Sequence, residues 1–201
     1  MIKNIIMDMG NVLLAYDPYV ILNLVCDTEE EKQLIHTHLF EGEAWIMADR
    51  GEITNEQRYD IVKEHLPEEL HEKLKRCVDG WDICLTPIDG AQAFCETYRK
   101  KGYGMYVLSN ACNRFYTYFP RQYDVELFNG IMVSSTVRLI KPDRKIYEVL
   151  CETYELTPQE CVFIDDRAEN VETAKDYGMH GIVFDGDYAS VERKLQCLLE
   201  A

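Results

Sequence analysis

Five short apolar runs recur along this chain at residues 5–7, 105–108, 130–134, 161–164 and 181–184. Amphipathic stretches separate them. Runs this short and this apolar suit strands that are covered on both faces. Strands alternating with helices point to a parallel sheet with helices packed on it. Each connection is long enough for a right-handed crossover. The expected fold class is therefore α/β. The helical partners are legible too. Ile88, Ala91, Phe94, Cys95 and Tyr98 share one helical face, and Ile146, Val149 and Leu150 share another. Val171, Ala174 and Tyr177 line a third, and Val191, Leu195 and Leu198 a fourth.

The alternation breaks once. Between the first run and the second lie some sixty residues with helical periodicity and no convincing strand, from about Tyr19 to Trp81. Thr54 or Asn55 is placed to cap one of these helices, and Pro67 to start another. We read residues 1–15 and 84–201 as the core and residues 16–83 as an inserted helical unit. Within it, residues 42–51 carry Trp45 and Arg50 between glycines. That stretch reads either as a loop facing a substrate or as a buried Trp beside a surface Arg.

Charge narrows the choice of partners. The 201 residues carry a formal net charge of −15, with pI near 4.7. Such a surface repels nucleic-acid phosphates, so no nucleic-acid partner is expected. A small anionic substrate needs a local cation. No apolar run approaches the ~18 residues of a membrane span, so no membrane partner is expected. The eight cysteines form no CxxC pair and no Cys/His cluster with zinc spacing. Reduced core thiols, and an N-terminus unlike a secretory signal, give a cytoplasmic expectation.

Polar residues follow the runs in an ordered set. Asp8 ends the first, and Gly10 and Asn11 are turn formers behind it. Ser109-Asn110 ends the second, Lys141 follows the third, and Asp165-Asp166 ends the fourth. In a parallel sheet these positions converge on one edge. Three carboxylates in one place need compensation, and Mg2+ with oxygen ligands suits the set. Ser109 and Asn110 offer donors for phosphate oxygens at an expected helix N-terminus. Lys141 adds a point charge. Asp8 is then placed to attack phosphorus as a carboxylate nucleophile. A receiver domain uses similar parts in a different chain order. A P-loop would need GxxxxGK[ST], which is absent.

In these residues and their order, the chain resembles the haloacid dehalogenase-like (HAD) hydrolase superfamily over essentially its whole length. Asp8 matches the first motif, residues 107–110 (VLSN) the second, Lys141 in IKPD the third, and Asp165-Asp166 the fourth. The combination of DMGNVL, GEAW, RGEIT, VLSN, KPDRKIY and FIDDRAEN is most similar to the branch containing bacterial α-D-glucose-1-phosphate phosphatases. The resemblance implies a Rossmann-like core, a small helical cap and Mg2+-dependent phosphomonoester hydrolysis. It makes Asp8, Asp166 and the Gly10 carbonyl metal ligands, with Asp165 beside them in the acidic pair. It makes Ser109, Asn110 and Lys141 the phosphate holders.

One departure matters. Phosphatases of the superfamily usually carry a general acid/base Asp two residues after the nucleophile, and here that position is Gly10. Asp17 is the nearest acidic residue in sequence to replace it. An anomeric leaving group, as in a sugar 1-phosphate, would suffer less from the loss. The leading expectation is thus a phosphatase of a small phosphorylated metabolite, with a sugar phosphate as substrate. The competing readings are a metal-independent 2-haloacid dehalogenase and a non-catalytic protein that binds a phosphorylated ligand. The sequence assigns no oligomeric state.

Overall fold

The computed structural model describes residues 1–200. Five strands form one sheet in the order β5-β4-β1-β6-β7, every neighbouring pair parallel. They are β1 (Asn4–Met7), β4 (Gly104–Ser109), β5 (Gly130–Val133), β6 (Cys161–Asp165) and β7 (His180–Val183). These are the five apolar runs, with ends moved by a residue or so. β1 lies at the centre and the chain builds outward on both sides of it. The connections therefore diverge between β4 and β6, which leaves a crevice beyond the end of β1.

Alternation along the strands sorts their side chains onto two faces. Ile5 and Met7 of β1, with Met105, Val107, Val162 and Ile164, pack with Phe94, Cys95 and Tyr98 of α6 (Ala91–Lys100) and Val191 and Leu195 of α11 (Tyr188–Glu200). Ile6, Tyr106, Leu108 and Phe163 point the other way. They meet Ile146, Tyr147 and Leu150 of α9 (Arg144–Thr153) and Ala174 of α10 (Ala168–Tyr177). All eight cysteines are free thiols, and all but Cys197 are buried.

Between β1 and β4 stands the helical block. It contains α1 (Tyr19–Val25), α2 (Glu29–Ile35), α3 (Glu43–Asp49), α4 (Asn55–Lys63) and α5 (His71–Gly80). Thr54 caps α4 through a capping box with Gln57, and Pro67 opens a 3-10 turn that leads into α5. Two strands went unseen in the sequence: β2 (Leu14–Tyr16) and β3 (Leu85–Pro87) pair antiparallel. They carry the chain into the helical block and out of it, side by side. No helix among the described residues is long and apolar enough to cross a membrane.

After α3 the chain presses against the core. Gly51 has φ +69, and a Cβ there would stand 2.2 Å from the Ser135 carbonyl oxygen in α8 (Ser134–Val137). Only glycine meets both demands, the left-handed backbone and the close approach. We expect Gly51→Ala to cost about 1–3 kcal/mol of stability, the scale of non-glycine strain at such a backbone position. Urea unfolding checks this, and a midpoint equal to that of the parent would contradict it.

Candidate active site

The carboxyl ends of β1, β4 and β6 open into a cavity of about 460 Å3 shared with the helical block. Asp8 sits at its floor. Its amide donates to the Ile164 carbonyl at 2.9 Å, which extends the sheet ladder one residue past β1. Its Oδ1 accepts from the Met9 amide at 2.6 Å. The chain then turns sharply: the amides of Leu13 and Leu14 both donate to the Met9 carbonyl, at 2.9 and 2.8 Å. Asn11 takes φ +53, which Asn tolerates, and its side-chain amide donates to Asp166 at 3.4 Å. A Cβ built on Gly10 would meet nothing within 4 Å.

Lys141 organises this floor. Its Nζ lies 2.8 Å from Asp8 Oδ1 and 2.7 Å from Asp165 Oδ2, and the residue is 2% exposed. Burial works against the ammonium, but the two carboxylates outweigh it and raise its pKa, so it stays charged. Its backbone is clamped by Asn110: the Asn110 Nδ2 donates to the Lys141 carbonyl at 2.9 Å, and the Lys141 amide donates to Asn110 Oδ1 at 2.8 Å. Asp165 is fully buried and saturated. Besides Lys141, its oxygens accept from the Arg167 amide at 2.8 Å and from Asn170 Nδ2 at 3.0 Å.

The carboxylates outnumber the cation. Burial pushes Asp8 up to about 7, against the pull of Lys141. Burial, and then the Asp165 charge, also raise Asp166. A divalent cation relieves that imbalance and leaves Asp8 ionised. The donor set fits one: Asp8, Asp165 and Asp166 each offer an oxygen, all within 4.8 Å of one another. Hard oxygen donors of this kind suit Mg2+. Since Asp165 already accepts from several donors, Asp8 and Asp166 have the lone pairs to spare.

Several expectations need adjusting. No helix begins at Ser109-Asn110, because residues 111–113 are irregular and α7 starts only at Phe115 (Phe115–Tyr118). The Asn110 side chain is engaged with Lys141 rather than free for a phosphate. Ser109 is buried, and its hydroxyl has no hydrogen-bond partner. Asp17 is exposed and absent from the cavity wall; its Oδ1 accepts from the Tyr19 amide at the start of α1. It does not stand in for the missing acid. Residues 42–51 are mostly helix, not loop, yet Trp45 and Arg50 both line the cavity. Tyr118 lines it as well, while Asn113 turns its Oδ1 to the Ser135 hydroxyl at 2.9 Å.

Sequence reasoning missed Asp49. It stands four residues after Trp45 in α3, so the two share a helix face. That face borders the cavity, and burial pushes the Asp49 carboxyl up to about 7. A carboxylate one turn from an aromatic, with Ala44 and Ala48 buried nearby, was the available signal.

Comparison with known proteins gives the family and the fold. A family model described as a haloacid dehalogenase-like hydrolase matches residues 2–178. The chain is 28% identical over 183 residues to a sesquiterpene phosphatase of Aspergillus oryzae, covering 90% of this chain and 88% of that protein. It is 24% identical to a drimenol cyclase of Aspergillus calidoustus, covering 92% of this chain but 34% of that longer protein. Among solved structures, a HAD-family enzyme of Bacteroides thetaiotaomicron in complex with magnesium and inorganic phosphate superposes with TM-score 0.75 at 21% identity. That match covers 95% of this chain and 99% of the other. An L-2-haloacid dehalogenase of Xanthobacter autotrophicus superposes with TM-score 0.64 at 18% identity, over 90% and 76% of the two chains.

Removing the cation tests the electrostatics. In EDTA at pH 7, Lys141→Met should lower the unfolding free energy by about 3–5 kcal/mol, the cost of leaving buried charge unpaired. The pKa of Asp8 is raised in the folded state, so protonation relieves the repulsion as pH falls. The deficit should shrink between pH 7 and about 4, near the ordinary carboxyl value. A deficit that grows on acidification would show that repulsion between these carboxylates is not its source.

Proposed function

This chain belongs to the haloacid dehalogenase-like hydrolase family, and from that premise we propose that it is a Mg2+-dependent phosphomonoesterase working through Asp8. The observation that carries the reading is the shared lysine: one buried ammonium aims Asp8 into the cavity while a second carboxylate, Asp165, holds it in place. Asp8 Oδ attacks phosphorus and displaces the ester oxygen, giving an aspartyl-phosphate that water then cleaves. Lys141 offsets charge on the phosphoryl oxygens and keeps Asp8 oriented. The Ser109 hydroxyl, buried and unpaired just behind the cavity wall, is the donor that the resemblance assigns to a phosphate oxygen. Asn110 serves by fixing the Lys141 backbone. Asp8 and Asp166, with the Gly10 carbonyl that the resemblance implies, would hold Mg2+, which would supply positive charge for the phosphoryl group.

Residues 16–83 act as the cap in this reading, and residues 1–15 with 84–201 as the catalytic core. The cap supplies the wall that meets the leaving group. A sugar phosphate, glucose-1-phosphate-like, is one substrate class the branch resemblance suggests. A second class has its own support: the wall carries Tyr16, Trp45, Trp81, Leu85 and Ile140, and one relative is a sesquiterpene phosphatase. Such a wall suits an apolar monophosphate. A dehalogenase is less well matched, because Asp166 without a cation would repel the carboxylate of a 2-haloacid.

Phosphate release from a panel holding α-glucose 1-phosphate and isoprenyl monophosphates, run with Mg2+ and then EDTA, tests both levels. Release should require Mg2+, and Asp8→Asn should abolish it while the circular-dichroism spectrum stays the same. Release undiminished in Asp8→Asn would end the covalent mechanism. Preference within the panel selects the substrate class.

A further inference from the structure

A phosphate ester of an ordinary alcohol leaves slowly unless its oxygen receives a proton, so the cavity needs an acid. The floor has none to spare. Asp8 is the nucleophile, Lys141 is bound by two carboxylates, Asp165 is saturated, and Asp166 belongs with the cation. The arginines lining the cavity do not deprotonate. The hydroxyls of Tyr16 and Tyr118 are enclosed. Among the carboxylates that line the cavity, Asp49 is left. This rests on the phosphomonoesterase reading above and supplies what that reading lacks.

Three further observations converge on Asp49. First, its backbone is anchored across the cleft. The Ser134 hydroxyl donates to the Asp49 carbonyl at 2.5 Å, and the Ser134 Oγ in turn accepts from the Ala111 amide at 2.9 Å. Ser134 opens α8 right after β5, and Ala111 follows the second motif, so both belong to the core. Gly51, two residues on, is in contact with the Ser135 backbone. The Asp49 main chain is therefore tied to the same loops that surround the phosphate site. Second, charge around it is arranged for a proton that comes and goes. Arg58 of α4, fully buried, lies with its guanidinium 4.5 Å from the Trp45 ring centre, has no hydrogen-bond partner, and pulls the Asp49 pKa down. Burial pulls it up more strongly, to about 7. The Cys112 backbone N–H also pulls it down. Tyr16 from β2 and Tyr118 from α7 face it as neutral phenols, kept so by burial. Third, Gly10 leaves open space on the core side, with no side chain to compete for the leaving group.

We propose that Asp49, carried on the helical cap rather than on the core, is the general acid and base of this enzyme. Protonated Asp49 gives its proton to the ester oxygen as the phosphorus–oxygen bond breaks and the Asp8–phosphorus bond forms. The Asp49 carboxylate then takes a proton from water as that oxygen attacks phosphorus. The Asp8–phosphorus bond breaks, and alcohol, phosphate, free Asp8 and protonated Asp49 result.

The test compares kcat/KM for two esters with Mg2+ bound, because kcat/KM reports steps only through departure of the leaving group. An alkyl phosphate needs the proton, while p-nitrophenyl phosphate leaves without one. Asp49→Asn should cut kcat/KM for the alkyl ester by about 10^2–10^4 and leave the p-nitrophenyl ester within about tenfold. The acid must be protonated, so the parent's alkyl profile should fall as pH rises through about 7, and that limb should vanish in Asp49→Asn. Arg58→Met keeps the volume, removes the cation, and should move the limb to higher pH. Equal losses on both esters, no loss on either, or a limb that Arg58→Met leaves in place would overturn the proposal. A parent that cleaves neither ester, or cleaves both undiminished in Asp8→Asn, strikes the phosphomonoesterase reading instead.

Discussion

Lys141 is the point on which the site depends. An ammonium ion at 2% exposure is costly to bury, and it is stable there because Asp8 and Asp165 lie within 2.8 Å of it. Each of the three comes from a different part of the chain: the end of β1, the segment after β5 and the end of β6. The ion triad therefore joins the sheet order to the chemistry. If β1 were not central, with β6 beside it, these charges would not meet. The second rank of contacts completes the arrangement. Asn110 from the end of β4 fixes the lysine backbone, and Asn170 from α10 fixes Asp165.

The helical block does different work. It brings no residue to the triad and instead closes the cavity over it with aromatic rings. Trp45, Trp81 and Tyr16 pack edge to face or tilted at centroid distances of 5.0 to 6.3 Å. Packing of that kind gives a wall of fixed shape. In the proposed reaction, charge on the core would hold the phosphoryl group and the shape of the wall would hold the rest of the molecule. The charged triad and most of the aromatic wall thus lie on separate stretches of the chain, and Asp49 is the one carboxylate that the helical block brings to the cavity.

Much of this was legible in the sequence, for identifiable reasons. The five sheet strands carry apolar runs because helices cover both faces; Asp8 and Asp165-Asp166 stand where their runs stop, and Lys141 follows the third run after a short helical turn. β2 and β3 escaped notice because each has three residues and β3 ends in a proline. Strands so short leave no period to detect. Asp17 drew attention through closeness in sequence to Asp8, but it turns outward to the start of α1. Asp49 is forty-one residues from Asp8 and reaches the cavity only because α3 docks on the core. Contact of that kind is set by tertiary packing, which periodicity does not encode. The role of the Asn110 side chain was hidden likewise, since its partner is a backbone thirty-one residues away.

The β2–β3 ribbon has an architectural consequence. Leu14 pairs with Pro87 and Tyr16 with Leu85, so the chain leaves the core and re-enters it through adjacent, hydrogen-bonded strands. The core therefore senses only the separation of two neighbouring stems, not the length or content of what lies between them. An insertion of another size could be grafted onto the same stems without disturbing the strand order beneath. A single ancestral core could in this way acquire new ligand preferences by exchanging one contiguous segment.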